Sequence, residues 1–562
     1  MFTKSDQQKA DVLQDYFSSV FTNEDNSDIP FFADREYQEK LSSFDITEEM
    51  VNKKLNKLKV NKSSGPDKIH PRVLHEIKEV IITPITIIFN TSLRQRTLPT
   101  EWKIANVAAI FKKGKKSQPK NYRPVSLTSV LCKVLESIFR DHIIDHMKEN
   151  NLFSDKQFGF ISGRSTMLQL LKVLDIWTEI LDQGGTIDSI YRDFMKAFDK
   201  VPHKRLIYKI ERYGISGNIL GWIEDFLSNR TQEIIINESK SKPASVTSGI
   251  PQGSVLGPIL FVLYINDLPE VVHRDTHIFL FADDTKAFRK IDSQYDQLQL
   301  QRDIDNMVTW SNTWLLKFHP EKCTMMNIGG KCTPNFDYSM EGHILNYSLC
   351  EKDLGVHIDN KLSFEKHITS AINKANRILA IVRRTFDTID KEIFLNVYKG
   401  LIRPHLEYAS SVWAPHLMKH IEAIEGVQRR ATKLVPGLSK LSYPDRLKAL
   451  SLPTLAYRRV RGDVIQVFKL LNETIGYDKS LPPLLKTSHT QNLRGHSKKL
   501  YISGSNKDIR KYSFCQRVVK IWNNLPEEVI SANTMITFEK RLDHFWKNQP
   551  VKFEDFKSSI IL

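Results

Sequence analysis

The stretch THIFLFADDTKAF, residues 276–288, places two adjacent carboxylates directly after an apolar run. The β-branched and aromatic residues of that run predict a strand. Asp283 and Asp284 repel each other at the end of the strand unless a cation compensates their charge. A hard divalent cation such as Mg²⁺, bound by oxygen ligands, is the natural compensation. Taken alone, the pair also fits an ordinary hairpin turn, and both interpretations stay open.

A second carboxylate motif lies upstream, where IDSIYRDF, residues 187–194, predicts another strand with Asp193 near its end. The loop SGIPQGSVLGP, residues 248–258, separates the two motifs. It is rich in Gly and Pro, carries Gln252 and precedes a predicted helix. Transfer of a nucleotidyl group needs carboxylates from two chain segments to hold two metal ions. The order and spacing of the three motifs favour that chemistry over three unrelated turns.

Length and charge set the broad class of the protein. The 562 residues correspond to about three or four domains. Lys and Arg total 81 against 65 Asp and Glu, which gives a formal net charge of +16. Such a surplus favours a polyanionic partner, most simply nucleic acid, although a ribosomal or membrane-surface role would give a similar charge.

Several classes of protein are excluded by composition. The longest apolar run, residues 80–89, is interrupted by Thr83, Pro84 and Thr86 and is shorter than the ~20 residues that a membrane span needs. The N-terminal sequence lacks the apolar core of a secretory signal. Five scattered cysteines without a CxxC motif do not form a disulfide framework or a zinc site. We therefore expect an intracellular protein that is not secreted and has no transmembrane segment.

Hydrophobic periodicity predicts the main helices. An amphipathic helix over residues 9–21 is followed by a linker, and Thr47 is the expected N-cap of a helix over 48–58. Apolar spacing from Pro71 to Leu93 predicts a core-facing helix with a kink or break at Pro84. The residues expected to face the core in that helix are Leu74, Ile77, Ile81, Ile85 and Ile88. Further predictions are a strand over 106–111 and helices over 130–147, 257–267 and 297–314.

Eight motifs in collinear order carry a resemblance to a known family. They are SSGPDKIHP (63–71), NYRPVSLTSVLCKVLE (121–136), QFGFISGRST (157–166), DFMKAFDKVPH (193–203), SGIPQGSVLGPILFVLYINDL (248–268), FADDTKAF (281–288), FHPEKC (318–323) and DLGVHID (353–359). Through them the chain resembles the reverse transcriptase of a non-LTR, LINE-type retrotransposon of the jockey-like group. The resemblance runs from about residue 45 to residue 416 and weakens in the tail.

The resemblance implies which carboxylates are catalytic. Asp193 and Asp283 would ligate two Mg²⁺ or Mn²⁺ ions, with Asp284 as the neighbouring carboxylate, so these three are the expected catalytic and metal-binding residues. Leu354 and Gly355 match the hairpin that holds the primer terminus.

The resemblance also implies four nucleotide-binding residues. Arg123 would grip the triphosphate, to which a planar guanidinium binds well. Gln252 would contact the incoming nucleotide or the template base, and Lys322 would protonate the leaving pyrophosphate. The Phe198 ring would exclude a 2′-hydroxyl and so select deoxynucleotides; a plain core aromatic remains the alternative for this residue.

The fold that the resemblance implies is α+β, a right-hand polymerase with an antiparallel palm sheet and a basic C-terminal domain. The expected divisions are an N-terminal helix and linker (1–45), fingers (46–185), palm (186–358), thumb (359–436) and the basic domain (437–562). The implied activity is RNA-directed DNA synthesis from a primer 3′-hydroxyl. The expected partners are an RNA template, a DNA primer and dNTPs, with no membrane.

Two residues depart from the family pattern and keep an alternative function open. Arg192 stands where an aliphatic residue is usual, so either its guanidinium faces solvent or Asp193 is its partner. Met195 replaces a residue that is commonly small and polar. A salt bridge to Asp193 would compete with a metal ion, and the alternative is therefore a catalytically inactive remnant that only binds nucleic acid. An RNA-templated RNA polymerase is disfavoured by Phe198.

The two ends of the chain indicate less clearly which further domains and functions the protein has. Only about 45 residues precede the expected fingers, so we expect an N-terminally truncated open reading frame without the endonuclease domain of the family. The tail has basic clusters interleaved with aromatic residues, which fits either RNA binding or a helix bundle with a solvated basic face. These clusters are Arg429 and Arg430; Arg458, Arg459 and Arg461; and Arg494, Lys498 and Lys499. Action on chromosomal targets would place the protein in the nucleus.

Overall fold

The structure, a computed structural model, describes residues 5–24, 29–330, 336–472, 477–488 and 496–558. The fold is mixed α/β, and antiparallel pairs dominate its sheets. Within those ranges no helix has the length and apolar character needed to cross a membrane. Arg494 and residues 25–28 of the expected linker lie outside the described residues.

The helices of the first 313 residues are α1 (Asp6–Ser18), α2 (Glu48–Asn56), α3 (Pro71–Glu76), α4 (Lys78–Gln95), α5 (Val130–Glu149), α6 (Thr166–Asp182), α7 (Ala197–Lys200), α8 (His203–Arg212), α9 (Gly217–Leu227), α10 (Gly257–Ile265) and α11 (Gln294–Thr313). Those that follow are α12 (Glu365–Thr385), α13 (Lys391–Val397), α14 (Arg403–Glu407), α15 (Ser410–Trp413), α16 (Met418–Ala431), α17 (Tyr443–Leu450), α18 (Leu455–Leu471), α19 (Asp508–Lys511), α20 (Phe514–Asn523), α21 (Glu527–Ile530), α22 (Met535–Phe545) and α23 (Pro550–Phe553).

The strands are β1 (Ile104–Phe111), β2 (Tyr122–Leu127), β3 (Thr186–Arg192), β4 (Arg230–Ile236), β5 (Ser239–Lys240), β6 (Ala244–Val246), β7 (His277–Phe281), β8 (Asp284–Ile291), β9 (Thr324–Ile328), β10 (Ser339–Met340), β11 (His343–Ile344), β12 (Asn346–Tyr347), β13 (Cys350–Asp353) and β14 (Val356–Asp359). The strands predicted at 106–111, 187–194 and 276–282 correspond to β1, β3 and β7.

The central sheet has the strand order β12-β9-β3-β8-β7. Strand β3 lies in its interior and pairs antiparallel with β8 on one side and β9 on the other. A two-residue turn, Ala282-Asp283, joins β7 to β8. Apolar helices pack below this sheet, among them α10, of which residues 259–265 are almost completely buried.

A second sheet has the order β2-β1-β4-β5, with β6 also paired to β4. Helix α1 packs on this sheet through Ala10, Leu13 and Phe17, which bury against Val107 and Ile234. The amphipathic helix near the N-terminus is therefore confirmed, and the apolar face that predicted it covers a sheet.

The prediction for the helix after Pro71 was wrong in two respects. The helix breaks at Ile77, between α3 and α4, and then runs through Pro84 without interruption. Ile77 and Ile88 are exposed, at 44% and 46% of their surface. The face of α4 that packs inward is offset from the predicted one and consists of Ile82, Ile85, Phe89 and Leu93. The segment is apolar on more than one side, so spacing alone did not identify the buried face.

The C-terminal helices pack against α6 and against the helices after residue 365. Three of the arginines in the basic clusters are engaged within the protein: Arg458 pairs with Glu407, Arg461 pairs with Asp543 at 2.6 Å, and Arg459 is buried. Acidic side chains of the protein thus already neutralise Arg458 and Arg461, which favours a structural role for this cluster.

Arg192 takes neither of the two arrangements expected from the sequence. Its side chain is buried below the central sheet, with the guanidinium carbon 5.8 Å from the centroid of the Phe318 ring. One terminal nitrogen contacts the sulfur of Met307, whereas Nε and Nη2 have no hydrogen-bond partner. Burial lowers the pKa of Arg192 to about 10. Side chains alternate along a strand, so Arg192 and Asp193 point to opposite faces and do not pair.

Lys209 on α8 shows the opposite case, a buried cation that has an anionic partner. Its Nζ lies 3.7 Å from the centroid of a Trp314 ring, with Phe32 and Trp310 also around it. The ammonium donates a hydrogen bond to Asp267 at 2.5 Å. Burial lowers the pKa of Lys209 to about 8, although Asp267 acts against that shift. This pair ties the segment around Phe32 to the core.

Replacing Lys209 by Met should lower the free energy of unfolding by about 3–5 kcal/mol, since it leaves the Asp267 carboxylate buried without its cation. The exposed Lys148 on α5 provides the matched control, and Lys148→Met should change stability by less than about 0.5 kcal/mol. Urea denaturation followed by circular dichroism measures both. Equal stability of the two variants would contradict the role given to the buried pair.

Replacing Arg192 by Met should stabilise the protein by about 1–3 kcal/mol, because a guanidinium with two unpaired buried donors gives way to an apolar side chain of similar length. The control is Arg302→Met on the exposed side of α11, which should have little effect. The same urea titration measures the change. A clear loss of stability in Arg192→Met would show that the contacts with Phe318 and Met307 outweigh the cost of burial.

Candidate active site

Three carboxylates gather where β3 and β7 end and β8 begins. Asp193 follows the last residue of β3. The last pair of the β3–β8 register is Arg192 with Thr285, so the next pair along the antiparallel strands would set Asp193 opposite Asp284. Asp283 occupies the turn between β7 and β8. The backbone carbonyl of Asp193 accepts a hydrogen bond from the His319 amide at 2.9 Å, which fixes the end of β3. The antiparallel register thus brings together the two motifs that the sequence keeps 90 residues apart.

Burial and neighbouring carboxylates raise the pKa values of Asp283 and Asp284. Burial, and then the charge of Asp193, raise the pKa of Asp283. Burial and the charges of Asp283, Asp353 and Asp193 raise the pKa of Asp284 to about 6. Among the described residues, no three or more His, Cys, Asp or Glu side chains are already arranged as the ligands of a metal ion. The donor chemistry nevertheless fits a hard divalent cation, because all three side chains offer oxygen and repel one another without a counter-charge.

Cations face this acidic cluster from separate elements. Lys322 lies with Nζ 3.3 Å from Oδ2 of Asp193, and both side chains are open to solvent. The charges of Arg123 and Lys112 act on Asp283 and oppose the rise of its pKa. The predicted nucleotide-binding residues Arg123 and Lys322 therefore lie on the same side of the molecule as the carboxylates.

Gln252 links two other motifs through its side-chain amide. Its Oε1 accepts a hydrogen bond from Nε of Arg123, and its Nε2 donates to Oδ1 of Asp199, both at 2.6 Å. The Gln252 carbonyl also accepts from the Ser126 amide on β2 at 2.7 Å. Burial raises the pKa of Asp199, which hydrogen bonding to Gln252 counteracts. Sequence reasoning did not identify this contact of Asp199.

The loop that carries Gln252 is held by one buried acid, Glu136 on α5. Its Oε2 accepts hydrogen bonds from the Ser254 hydroxyl and from the amides of Val255 and Leu256, at 2.5, 2.7 and 3.0 Å. Gly253 has φ +127°, and a Cβ there would lie 2.4 Å from the Ser126 carbonyl. The loop can approach β2 this closely only with a glycine at that position.

Phe198 is half-buried at the edge of the site. Its ring stacks on Phe261 of α10 with centroids 4.5 Å apart and meets the Phe160 ring edge-on at 6.5 Å. The Ile250 amide donates to the Phe198 carbonyl at 2.7 Å. The ring is thus fixed on one side by core packing while part of it stays accessible.

Leu354 and Gly355 form the two-residue turn between β13 and β14, with φ values of +44° and +91°. Tyr408 donates to the Leu354 carbonyl at 2.8 Å. The hairpin is tied to the catalytic strand by a buried ion pair between Asp353 and Lys286, which lies two residues after Asp284 on β8. The predicted primer-contacting turn is therefore mechanically connected to the carboxylates.

Helix α1 contributes residues that sequence reasoning missed. Lys196, in a left-handed conformation with φ +54°, places Nζ 5.1 Å from the centroid of the Tyr16 ring. The charges of Lys120, Asp199 and Lys322 all act on the Tyr16 hydroxyl. Thr22 continues the contact by donating to the Lys200 carbonyl at 2.9 Å. No motif marks Tyr16 in the sequence, because its proximity to the site arises only from the packing of α1.

The segment that carries this site matches a known protein family. The family described as reverse transcriptase (RNA-dependent DNA polymerase) matches residues 110–358, which include the three carboxylates. The chain is 28% identical over 422 residues to the RNA-directed DNA polymerase from mobile element jockey of Drosophila melanogaster, covering 72% of this chain and 45% of that protein.

Two further relatives come from the same fly. The probable RNA-directed DNA polymerase from transposon BS is 26% identical and covers 77% of this chain and 50% of its own length. The probable RNA-directed DNA polymerase from transposon X-element is 28% identical, and the alignment covers 67% of this chain and 42% of that protein. The alignments span about half the length of these curated relatives. Residues 110–358 thus match the reverse transcriptase family, and the chain is similar to the RNA-directed DNA polymerases of jockey-like and other non-LTR retrotransposons.

Proposed function

We propose that the chain is an RNA-directed DNA polymerase that extends a primer 3′-hydroxyl with dNTPs on an RNA template. The observation that carries this proposal is the convergence of Asp193, Asp283 and Asp284 from two paired strands, with Arg123 and Lys322 facing them. A net charge of +16 supports a nucleic-acid partner.

In this proposal the parts of the chain form a right hand. Residues 46–185 serve as fingers, 186–358 as palm, 359–436 as thumb and 437–562 as a basic C-terminal domain. The central sheet, with α10 packed beneath it, supports the palm assignment. The long helix α12 and the helices after it support the thumb assignment.

Asp193, Asp283 and Asp284 would hold two Mg²⁺ or Mn²⁺ ions. When bound, such ions lower the pKa of the attacking 3′-hydroxyl and neutralise charge on the triphosphate. The three carboxylates supply oxygen ligands only, which suits hard cations. Lys322, beside Asp193, is placed to donate a proton to the leaving pyrophosphate.

Arg123 and Gln252 would position the incoming nucleotide. A guanidinium presents several donors in one plane and binds phosphate oxygens in pairs. Because Gln252 accepts from Arg123 and donates to the buried Asp199, the guanidinium is held in a defined orientation before substrate enters. Such preorganisation lowers the entropy lost on binding.

Phe198 would select deoxynucleotides. Its stacking on Phe261 prevents the ring from moving away, so a 2′-hydroxyl on the sugar would collide with it. The turn at Leu354 and Gly355 would contact the primer end, and the ion pair of Lys286 with Asp353 would keep that turn in register with the carboxylates.

The inactive alternative rested mainly on a possible salt bridge between Arg192 and Asp193. Arg192 instead lies below the sheet against Phe318 and does not compete for Asp193. The ion pair that Asp193 makes with Lys322 is open to solvent and therefore weak enough for a metal ion to replace. This arrangement supports an active enzyme, and the incorporation assay below distinguishes the two functions.

The purified chain should incorporate dTTP on a poly(rA)/oligo(dT) template with Mg²⁺, and Asp283→Asn should lower the rate by at least about 100-fold, because it removes an anionic ligand at the reacting centre. Asp292→Asn, an exposed position at the far end of β8, is the control and should keep full activity. Retained template binding without incorporation by the unaltered chain would support the inactive alternative.

Replacing Phe198 by Val should raise the use of ribonucleotides relative to deoxynucleotides by about 10- to 200-fold in kcat/KM, since it removes the ring that would meet the 2′-hydroxyl. Single-nucleotide extension with dGTP and GTP on an RNA template measures the ratio. Phe160→Leu removes a neighbouring, exposed ring and should leave the ratio unchanged. An unchanged ratio in Phe198→Val would return Phe198 to a purely structural role.

A further inference from the structure

Arg164 joins two distant parts of the chain. One is the segment around Gln157, which contacts the turn Ala282-Asp283 between β7 and β8, called the catalytic turn below; the other is the C-terminal region. The Arg164 side chain is fully buried, and its Nε donates to Oδ2 of Asp478 at 2.6 Å. Its Nη2 donates to the hydroxyl of Ser480 at 3.0 Å. Its Nη1 donates to the carbonyls of Ser154 and Gln157, the latter at 2.6 Å. One guanidinium thus bridges two segments more than 300 residues apart in the sequence.

Gln157 carries this connection to the catalytic turn. Its Oε1 accepts hydrogen bonds from the amides of Ala282 at 3.0 Å and Gly159 at 2.8 Å. Both partners are N–H donors, so the oxygen of the side-chain amide must face them. Ala282 has φ +53°, a conformation that is costly for a residue with a side chain. The hydrogen bond therefore holds a strained residue that directly precedes Asp283.

The segment around Gln157 fits closely against β7. The Phe158 amide donates to the Leu280 carbonyl at 2.7 Å, and the Leu280 amide donates to the Lys156 carbonyl at 2.9 Å. A Cβ on Gly159 would lie 2.5 Å from the Ala282 nitrogen, so the two backbones touch. A shift of residues 156–159 would consequently move the turn.

We propose that Asp478 and Arg164 are positioning residues through which the C-terminal region sets the geometry of the catalytic turn, by way of Gln157. The proposal deepens the polymerase function proposed above and rests on it. A buried ion pair contributes little net stability because both charges lose their hydration. The planar guanidinium of Arg164 donates in fixed directions, so it holds Asp478 and the Gln157 carbonyl in one relative orientation.

Three variants separate this role from simple attachment of the C-terminal helices. Arg164→Lys keeps the positive charge, but a single ammonium cannot donate to Asp478 and to the Gln157 carbonyl in the two directions that the planar guanidinium provides. Gln157→Leu leaves the ion pair intact and removes only the hydrogen bonds from the Ala282 and Gly159 amides. Asp175→Asn is the matched control, because Asp175 on α6 accepts from Arg510 at 2.6 Å and so anchors the same C-terminal region away from the turn.

Two readouts are measured on the full chain. Hydrogen exchange, followed by mass spectrometry of peptides covering residues 278–288, reports the stability of the turn without requiring activity. Steady-state incorporation of dTTP on poly(rA)/oligo(dT) gives kcat, KM for dTTP and the affinity for the template. Circular dichroism confirms that each variant is folded.

Arg164→Lys and Gln157→Leu should speed exchange in 278–288 and lower kcat by about 10- to 100-fold, while KM and template affinity stay within about twofold. Asp175→Asn should leave both readouts unchanged. Unaltered exchange in the first two variants, or the same change in Asp175→Asn, would overturn the proposal. If the unaltered chain adds no nucleotide, the polymerase function fails separately, and the exchange measurement still decides whether the link holds the turn.

Discussion

The pairing of β3 with β8 is the constraint on which the candidate site depends. The register that sets Arg192 beside Thr285 is fixed from both sides, because β3 also pairs with β9 and its inward face is buried. A slip of one residue would move Asp193 to the opposite face of the sheet and bury a carboxylate among apolar side chains. The core therefore enforces the geometry of the acidic cluster.

The cluster itself is electrostatically unfavourable, and the surrounding elements compensate for it. Burial, and then repulsion between the carboxylates, raise the pKa of Asp283 and Asp284, whereas Arg123 on β2 and Lys322 before β9 bring positive charge to the same edge. A site with this balance attracts cations and polyanions together, as a nucleotide with its metal ions requires. Structural rigidity around the turn then keeps the carboxylates from separating.

That rigidity comes from distant parts of the chain. Helix α1 packs beside Lys196, the hairpin at Leu354 is tied to β8 through Asp353, and the segment near Asp478 reaches Arg164. The matched family region ends at residue 358, so α1 and Asp478 lie outside it. Elements outside the matched region thus contact and support the residues inside it.

Much of the fold could be predicted from local patterns. The strands at 187–194 and 276–282 and the Thr47 cap were correct because alternation and capping depend on near neighbours in the sequence. The inward face of α4 and the environment of Arg192 could not be predicted. An apolar helix offers several faces, and which one is buried depends on elements far away in the chain.

The sequence by itself determined the motifs, their order and the chemistry of their side chains, since eight collinear motifs carry the resemblance to reverse transcriptases and place carboxylates at strand ends. Only the tertiary structure decided that Gln252 bridges Arg123 and Asp199 and that the C-terminal region reaches the turn before Asp283 through Arg164. Hydrogen bonds of this kind join residues more than 50 positions apart. Their partners are set by how helices and sheets pack, which no local pattern records.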